Sequence, residues 1–241
     1  MSTTLRDRIG AATGAAFVAL ILVGNGMTSG VSTADSAHPT GEQILTDAAH
    51  QASSTTFTAG FVMELLGFAA FIGFLGYLAD VLRRRVPGRG PGGIAAGTAI
   101  VSGVVMLAIK LGSAAPLGVL SIDHDHISPQ LAQVLNDMNG MAFIISWLPF
   151  AIFVAAAAAA LYRADLVGRP TAYSGLALGA AGLALSIAGV YDPLGANPLA
   201  FLLGLAWLLA VSVRLAVRPG TGASTGTTGG KAAEPRVTVS A

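Results

Sequence analysis

FTAGFVMELLGFAAFIGFLGYLADVLRRRVPGRGPG, residues 57–92, sets the class of the fold. Residues 57–82 carry only two charged side chains, Glu64 and Asp80, and then Arg83, Arg84, Arg85 and Arg89 close the run. At about 1.5 Å per helical residue the apolar part is long enough for a hydrocarbon core of roughly 30 Å. Backbone groups in lipid must bond within their own segment, so the run is a helix. The arginines mark the end that stays on the side of synthesis.

The same pattern repeats on both sides of this stretch. Basic clusters lie at Arg6/Arg8, Arg163/Arg169 and Arg214/Arg218, with Lys231 and Arg236 beyond. The intervening segments on the other side contain no Lys or Arg. Lys110 is the one basic residue outside the scheme. The reading is an all-α polytopic membrane protein of six transmembrane helices near 9–27, 57–82, 93–115, 141–162, 171–190 and 199–217. Both termini lie in the cytoplasm of a multi-pass protein of the cell membrane. Residues 1–218 form the membrane domain, and 219–241, rich in Gly, Thr, Ser and Ala, are too poor in apolar residues to fold. The first span is expected to remain as an uncleaved helix, with Gly10 and Gly14 as a small-residue packing step. A signal peptide is its alternative.

Composition agrees. Hydrophobic residues are 54% of the chain and charged residues 10%, against roughly a quarter charged in soluble domains. The bilayer is therefore the first partner. No basic stripe interleaved with aromatics points to nucleic acid. The chain has no cysteine, which excludes disulfides and thiolate metal sites.

Two connections on the outer side are longer than a turn needs. Thr40-Gly-Glu-Gln43 reads as a capping box ahead of Ile44, Leu45, Ala48 and Ala49. Ser128 with Pro129 reads as a second helix start, ahead of a stripe of Leu131, Val134, Leu135 and Met138. Each predicts a short outer amphipathic helix. Phe61, Phe68 and Phe71 are each 82 positions before Phe143, Phe150 and Phe153, and Gly93 and Gly97 stand in the same relation to Gly175 and Gly179. This repeat predicts a pseudo-twofold core of spans two to five, with both glycine pairs as close-packing steps. Pro149 is expected to kink the fourth span, and Trp147 and Trp207 to be packing residues.

Ionisable groups inside spans are the first functional candidates. Glu64 and Lys110 fall at similar depth on neighbouring helices and are expected either to pair or to part, Lys110 reaching toward the lipid heads and Glu64 protonated or bonded to a neighbour. Asp80 and Arg84 suit an ordinary helical i,i+4 pair. The run Asp123-His124-Asp125-His126, with His50 from the first outer helix, offers imidazole and carboxylate ligands of the kind that hold a divalent transition metal. The first outer connection adds Asp35 and His38 to the same side. Asn136, Asp137, Asn139 and Asp192 read as caps and turn formers that also suit the lining of an outer vestibule. No nucleotide, metalloprotease or hydrolase motif is present, and no cofactor is called for.

The stretches 136–143 (NDMNGMAF), 147–150 (WLPF) and 161–170 (LYRADLVGRP) resemble bacterial integral membrane families of the domain-of-unknown-function kind. The likeness covers spans two to five. Where those families often carry a Trp after the inner turn, this chain has Thr171-Ala172-Tyr173. The resemblance implies a helical membrane fold and no activity. The expected role is a non-enzymatic structural, partner-binding or stress-response component, acting on another membrane protein or a second copy. The alternatives are a small transporter or ion-responsive protein using Glu64 and Lys110, and an outer-face metal-binding protein.

Overall fold

The structure is a computed structural model, and it describes residues 3–30, 39–86, 88, 90–192 and 197–217. The tail 219–241, Asp35, His38, Arg89 and Arg218 lie outside the described residues. Among the described residues eight helices follow in order: α1 (Thr3–Ser29), α2 (Gly41–Ser53), α3 (Thr55–Arg85), α4 (Pro91–Asp123), α5 (Pro129–Ile145), α6 (Trp147–Arg163), α7 (Arg169–Tyr191) and α8 (Leu199–Val217). A 3-10 turn at His124–His126 joins α4 to α5. There is no strand among the described residues. Six units are long and apolar enough to cross a membrane, α5 and α6 together forming the fourth. Helix alternation gathers Arg6, Arg8, Arg83–Arg85, Arg163, Arg169 and Arg214 at one end.

The third and fourth spans overshoot the sequence-based bounds. α4 continues through Pro116, where an end was expected, to Asp123. Its 33 residues make about 50 Å of helix, some 20 Å more than the hydrocarbon needs. The proline costs one backbone hydrogen bond. Burial of Pro116 and Leu120 holds the helix across that gap, Leu120 packing with Ile44, Ala48, Ile127 and Ala132. The region 116–140 is therefore mostly helix rather than loop. It forms a cap with α2, above the end of the bundle opposite the arginines.

α2 starts as its sequence indicates: Thr40 and Gln43 make the reciprocal capping box. Gly41 lies so close against the Pro129 backbone that a Cβ there would collide with it. α5 likewise starts at Ser128, whose hydroxyl accepts from the Leu131 N–H. α5 runs without interruption into the fourth span, instead of ending before it. It buries Ala132 against α2 and leaves Leu131, Val134, Met138, Met141 and Ile145 exposed. The break comes at Ser146, four residues after Ala142 and three before Pro149. Proline lacks the N–H that would bond the Ile145 carbonyl, and its ring crowds that carbonyl. α5 ends at Ile145 accordingly.

The helices form a closed ring in the order α1, α3, α4, α6, α7, α8, with α8 returning to α1. α6 is the most buried of them. Its neighbour α7 approaches closely because Gly175, Gly179 and Gly182 rest on Ala158, Ala155 and Ala151. α1 is bound as tightly to α3. Gly24 and Gly60 each face the other's carbonyl oxygen, and Gly10 and Gly14 rest on Tyr77 and Phe74. α1 is thus one wall of the bundle. At the centre, Phe71 and Phe153 are fully buried and meet edge to face at 5.5 Å between centroids. These are equivalent positions of the 82-residue repeat.

The contacts between the two hairpins do not follow that symmetry. α4 packs along α6, but α3 and α7 do not pack along each other among the described residues. The pair Gly93/Gly97 is also not a packing step: Gly97 has nothing within 4 Å, and Gly93 faces its own preceding turn at Gly88. A glycine step closes only where a partner backbone arrives, and none reaches Gly97.

Candidate functional site

Glu64 and Lys110, the ionisable groups inside the spans, lie toward the cap. Lys110, on α4, is 9% exposed. Its Nζ stands 3.4 Å from the centroid of the Phe143 ring and 5.6 Å from that of Phe201. Both distances are within the reach of a cation–π contact. Trp147 closes the aromatic group, stacked on Phe201 at 6.1 Å and edge-on to Phe143 at 5.5 Å. Local structure explains the placement. Phe143 lies in the last turn of α5, just above the break at Ser146, and Ser146 Oγ donates to the Phe143 carbonyl at 2.6 Å. Phe201 comes from the first turn of α8. Asn197 Oδ1 caps that turn by accepting from the Leu199 N–H at 2.9 Å.

Glu64 is a neighbour of Lys110 without being its ion-pair partner. Each lies within the electrostatic reach of the other, yet no salt bridge joins them among the described residues. Glu64 turns to α1 instead, where its Oε1 accepts from Thr28 Oγ1 at 3.1 Å and its Cγ lies against Gly24. The crossing of α1 and α3 decides this: glycine on both helices brings Thr28 within hydrogen-bond range of the carboxyl group. Of the two expected arrangements, the structure has the one in which Glu64 bonds to a neighbour. Lys110 does not snorkel outward; the aromatic rings hold it inside.

The histidine run does not gather into one site. His126 Nδ1 contacts Asp123 Oδ1 at 3.0 Å, while His124 Nε2 contacts Asp125 Oδ1 at 3.5 Å. His124 Nδ1 faces the Ser121 carbonyl at 3.3 Å. Each histidine of the 3-10 turn thus faces a different aspartate, and His50 is exposed on α2. Among the described residues no group of three or more His, Asp or Glu side chains is arranged to hold a metal ion. In the vestibule set, Asn136 and Asn139 are half-buried along α5, and Asp137 and Asp192 are exposed. Asp192 is the C-cap of α7.

Two features escaped the sequence. The first is the aromatic enclosure of Lys110, because Phe201 is far along the chain. The second is a charge network at the arginine end. Asp80 is more than the partner of Arg84, at 2.9 Å; it also receives Arg6 at 3.2 Å and Arg83 at 3.8 Å, while Arg84 reaches Asp7 at 3.1 Å. This network ties the start of α1 to the end of α3. The tryptophans are buried as expected, and Trp207 Nε1 donates to the Thr171 carbonyl at 2.9 Å. No family model, curated protein or solved structure matches the chain.

Proposed function

We propose that the protein is a non-enzymatic, partner-binding component of the cell membrane, with its arginine end and both termini in the cytoplasm and its helical cap outside. The observation that carries this reading is the seam on α5. Leu131, Val134, Met138, Met141 and Ile145 are all exposed and are spaced alternately three and four residues apart. That is the a/d spacing of a helix which packs on another helix. Lipid covers Met141 and Ile145, but Leu131, Val134 and Met138 belong to the part of α5 that rises above the hydrocarbon. Copies of one chain in one membrane hold this seam at the same height, so a second copy meets it in register.

The chain has no cysteine, so single introduced cysteines report cleanly. Val134→Cys and Met138→Cys, carrying a photo-crosslinker in native membranes, should give a discrete adduct. Gln133→Cys, on the other side of the helix, should not. Equal yields at all three positions would count against the seam.

A second reading has its own support. Lys110 is a buried amine with no carboxylate within salt-bridge distance among the described residues, and Glu64 is close by. Intramembrane groups of this kind are functional candidates by default, and they suit an ion- or proton-responsive protein. Ion or proton flux into liposomes that is lost in Glu64→Gln and Lys110→Met would favour it. Unaltered flux in both variants, or none in the parent, would remove it.

A further inference from the structure

The arginine end of the α3–α4 hairpin is open. A groove of about 510 Å³ lies between α3 and α4 there. Ala79, Leu82 and Val86 form one wall, Ala96, Gly97 and Ile100 the other, and Arg83 stands at the rim. The unused Gly97, with nothing within 4 Å, is part of its floor. From Gly93 at the mouth to Ile100 the groove descends about 10 Å into the bilayer, at 1.5 Å per residue. An apolar trough at this depth takes the upper part of an acyl chain.

The mouth selects by charge. Arg6, Arg83 and Arg84 share two carboxylates, Asp7 and Asp80, and Arg85 follows in the same last turn of α3. Arg6 and Arg84 hold the close contacts to those carboxylates. Arg83 has the loosest, at 3.8 Å, with its side chain 81% exposed. Across the groove, the N-cap of α4 is Gly90, which provides no side-chain cap. Pro91 has no N–H, so Gly92 and Gly93 carry the first N–H groups at the positive end of the α4 dipole, and Gly93 lines the groove. A guanidinium with a spare charge and an uncapped helix start, placed over an apolar trough, complement a phosphate ester that carries a hydrocarbon tail. Basic pockets between transmembrane helices on this side recognise anionic lipid heads in the same way.

We propose that this groove is a binding site for an anionic phospholipid of the arginine-side leaflet, with one acyl chain along Gly97 and Ile100 and the phosphate at Arg83 and the start of α4.

The test uses the full chain in detergent, offered equimolar phosphatidylglycerol and phosphatidylcholine with identical acyl chains, and counts retained lipid by native mass spectrometry. The unaltered protein should retain phosphatidylglycerol about fivefold over phosphatidylcholine, the preference expected from one arginine at a membrane surface. Arg83→Gln should bring the ratio close to one while lipid is still bound. Gly97→Leu should reduce retention of both lipids, because the leucine fills the floor. Arg83 is exposed and Gly97 touches nothing, so neither change disturbs the packing, and a thermal melt of each variant checks this. Equal retention of the two lipids by the unaltered protein overturns the proposal, as does a preference that survives Arg83→Gln. Displacement of the lipid by millimolar inorganic phosphate would also overturn it, since a site for the phosphate alone does not need the groove.

Discussion

The enclosure of Lys110 makes a quantitative prediction through a double-mutant cycle of Phe143→Leu and Lys110→Met. Phe143 does two things: it fills volume against Trp147 and Phe201, and it faces the Lys110 ammonium at 3.4 Å. Loss of the ring as packing costs about 1 kcal/mol, as for other modest truncations in a core. Loss of a desolvated cation–π contact costs about 2 kcal/mol more. Phe143→Leu alone should therefore destabilise the protein by about 3 kcal/mol. In the Lys110→Met background only the packing part remains, so the coupling energy should be about 2 kcal/mol. Lys110→Met alone trades that contact against the insertion cost of a cation, about 3 kcal/mol at a helix centre. It should therefore be neutral or stabilising. Reversible unfolding in mixed micelles, followed by tryptophan fluorescence and circular dichroism, supplies the four free energies. A coupling energy below about 0.5 kcal/mol, the level of independent sites, would refute the argument. So would a Lys110→Met variant as damaged as Phe143→Leu.

Glycine positions separate real helix contacts from apparent ones: Gly24→Leu and Gly179→Leu should each lose about 1–3 kcal/mol through overpacking, read in the same unfolding assay, while Gly97→Leu stays within about 0.5 kcal/mol. Asp165 holds a left-handed backbone at φ 57° after α6, where the Leu166 N–H bonds the Leu161 carbonyl. Asp165→Gly should therefore raise the melting temperature, by the equivalent of about 1 kcal/mol. Ser128→Ala removes the N-cap of α5 and should cost about 1 kcal/mol, seen as faster amide exchange at Leu131 and Ala132. Asp80→Asn removes the shared partner of three arginines, all of them substantially exposed. Its cost should stay at or below about 1 kcal/mol and shrink as salt is added.

The spans were legible because their signal is local. A helix crossing lipid must be apolar along its whole length, and the arginine clusters mark its ends. The capping box at Thr40–Gln43 and the start at Ser128 were legible for the same reason: each is complete within four residues. Failures arose where a distant element decides the outcome. Pro116 reads as a helix end, and only the packing of Leu120 on α2 carries α4 past it. Gly93/Gly97 and Gly175/Gly179 have the same spacing, yet only the second pair meets another helix. Glu64 and Lys110 have matching depth. Their rotation about the helix axes sends one to Thr28 and the other to Phe143 and Phe201. Depth follows from counting residues, and direction depends on neighbours that the count does not reveal. Asp165 shows a further limit, since a left-handed turn without glycine leaves little trace in the sequence.

Orientation tests the account most directly, because the partner seam needs the cap outside and the lipid groove needs the arginine end inside. Single cysteines at Gln133, on the cap, and at Gly90, in the arginine-side turn, are both at exposed positions. In intact cells, a membrane-impermeant maleimide should label the Gln133→Cys protein at once and the Gly90→Cys protein only after lysis. Labelling of position 90 from outside, with position 133 protected until lysis, would contradict the account.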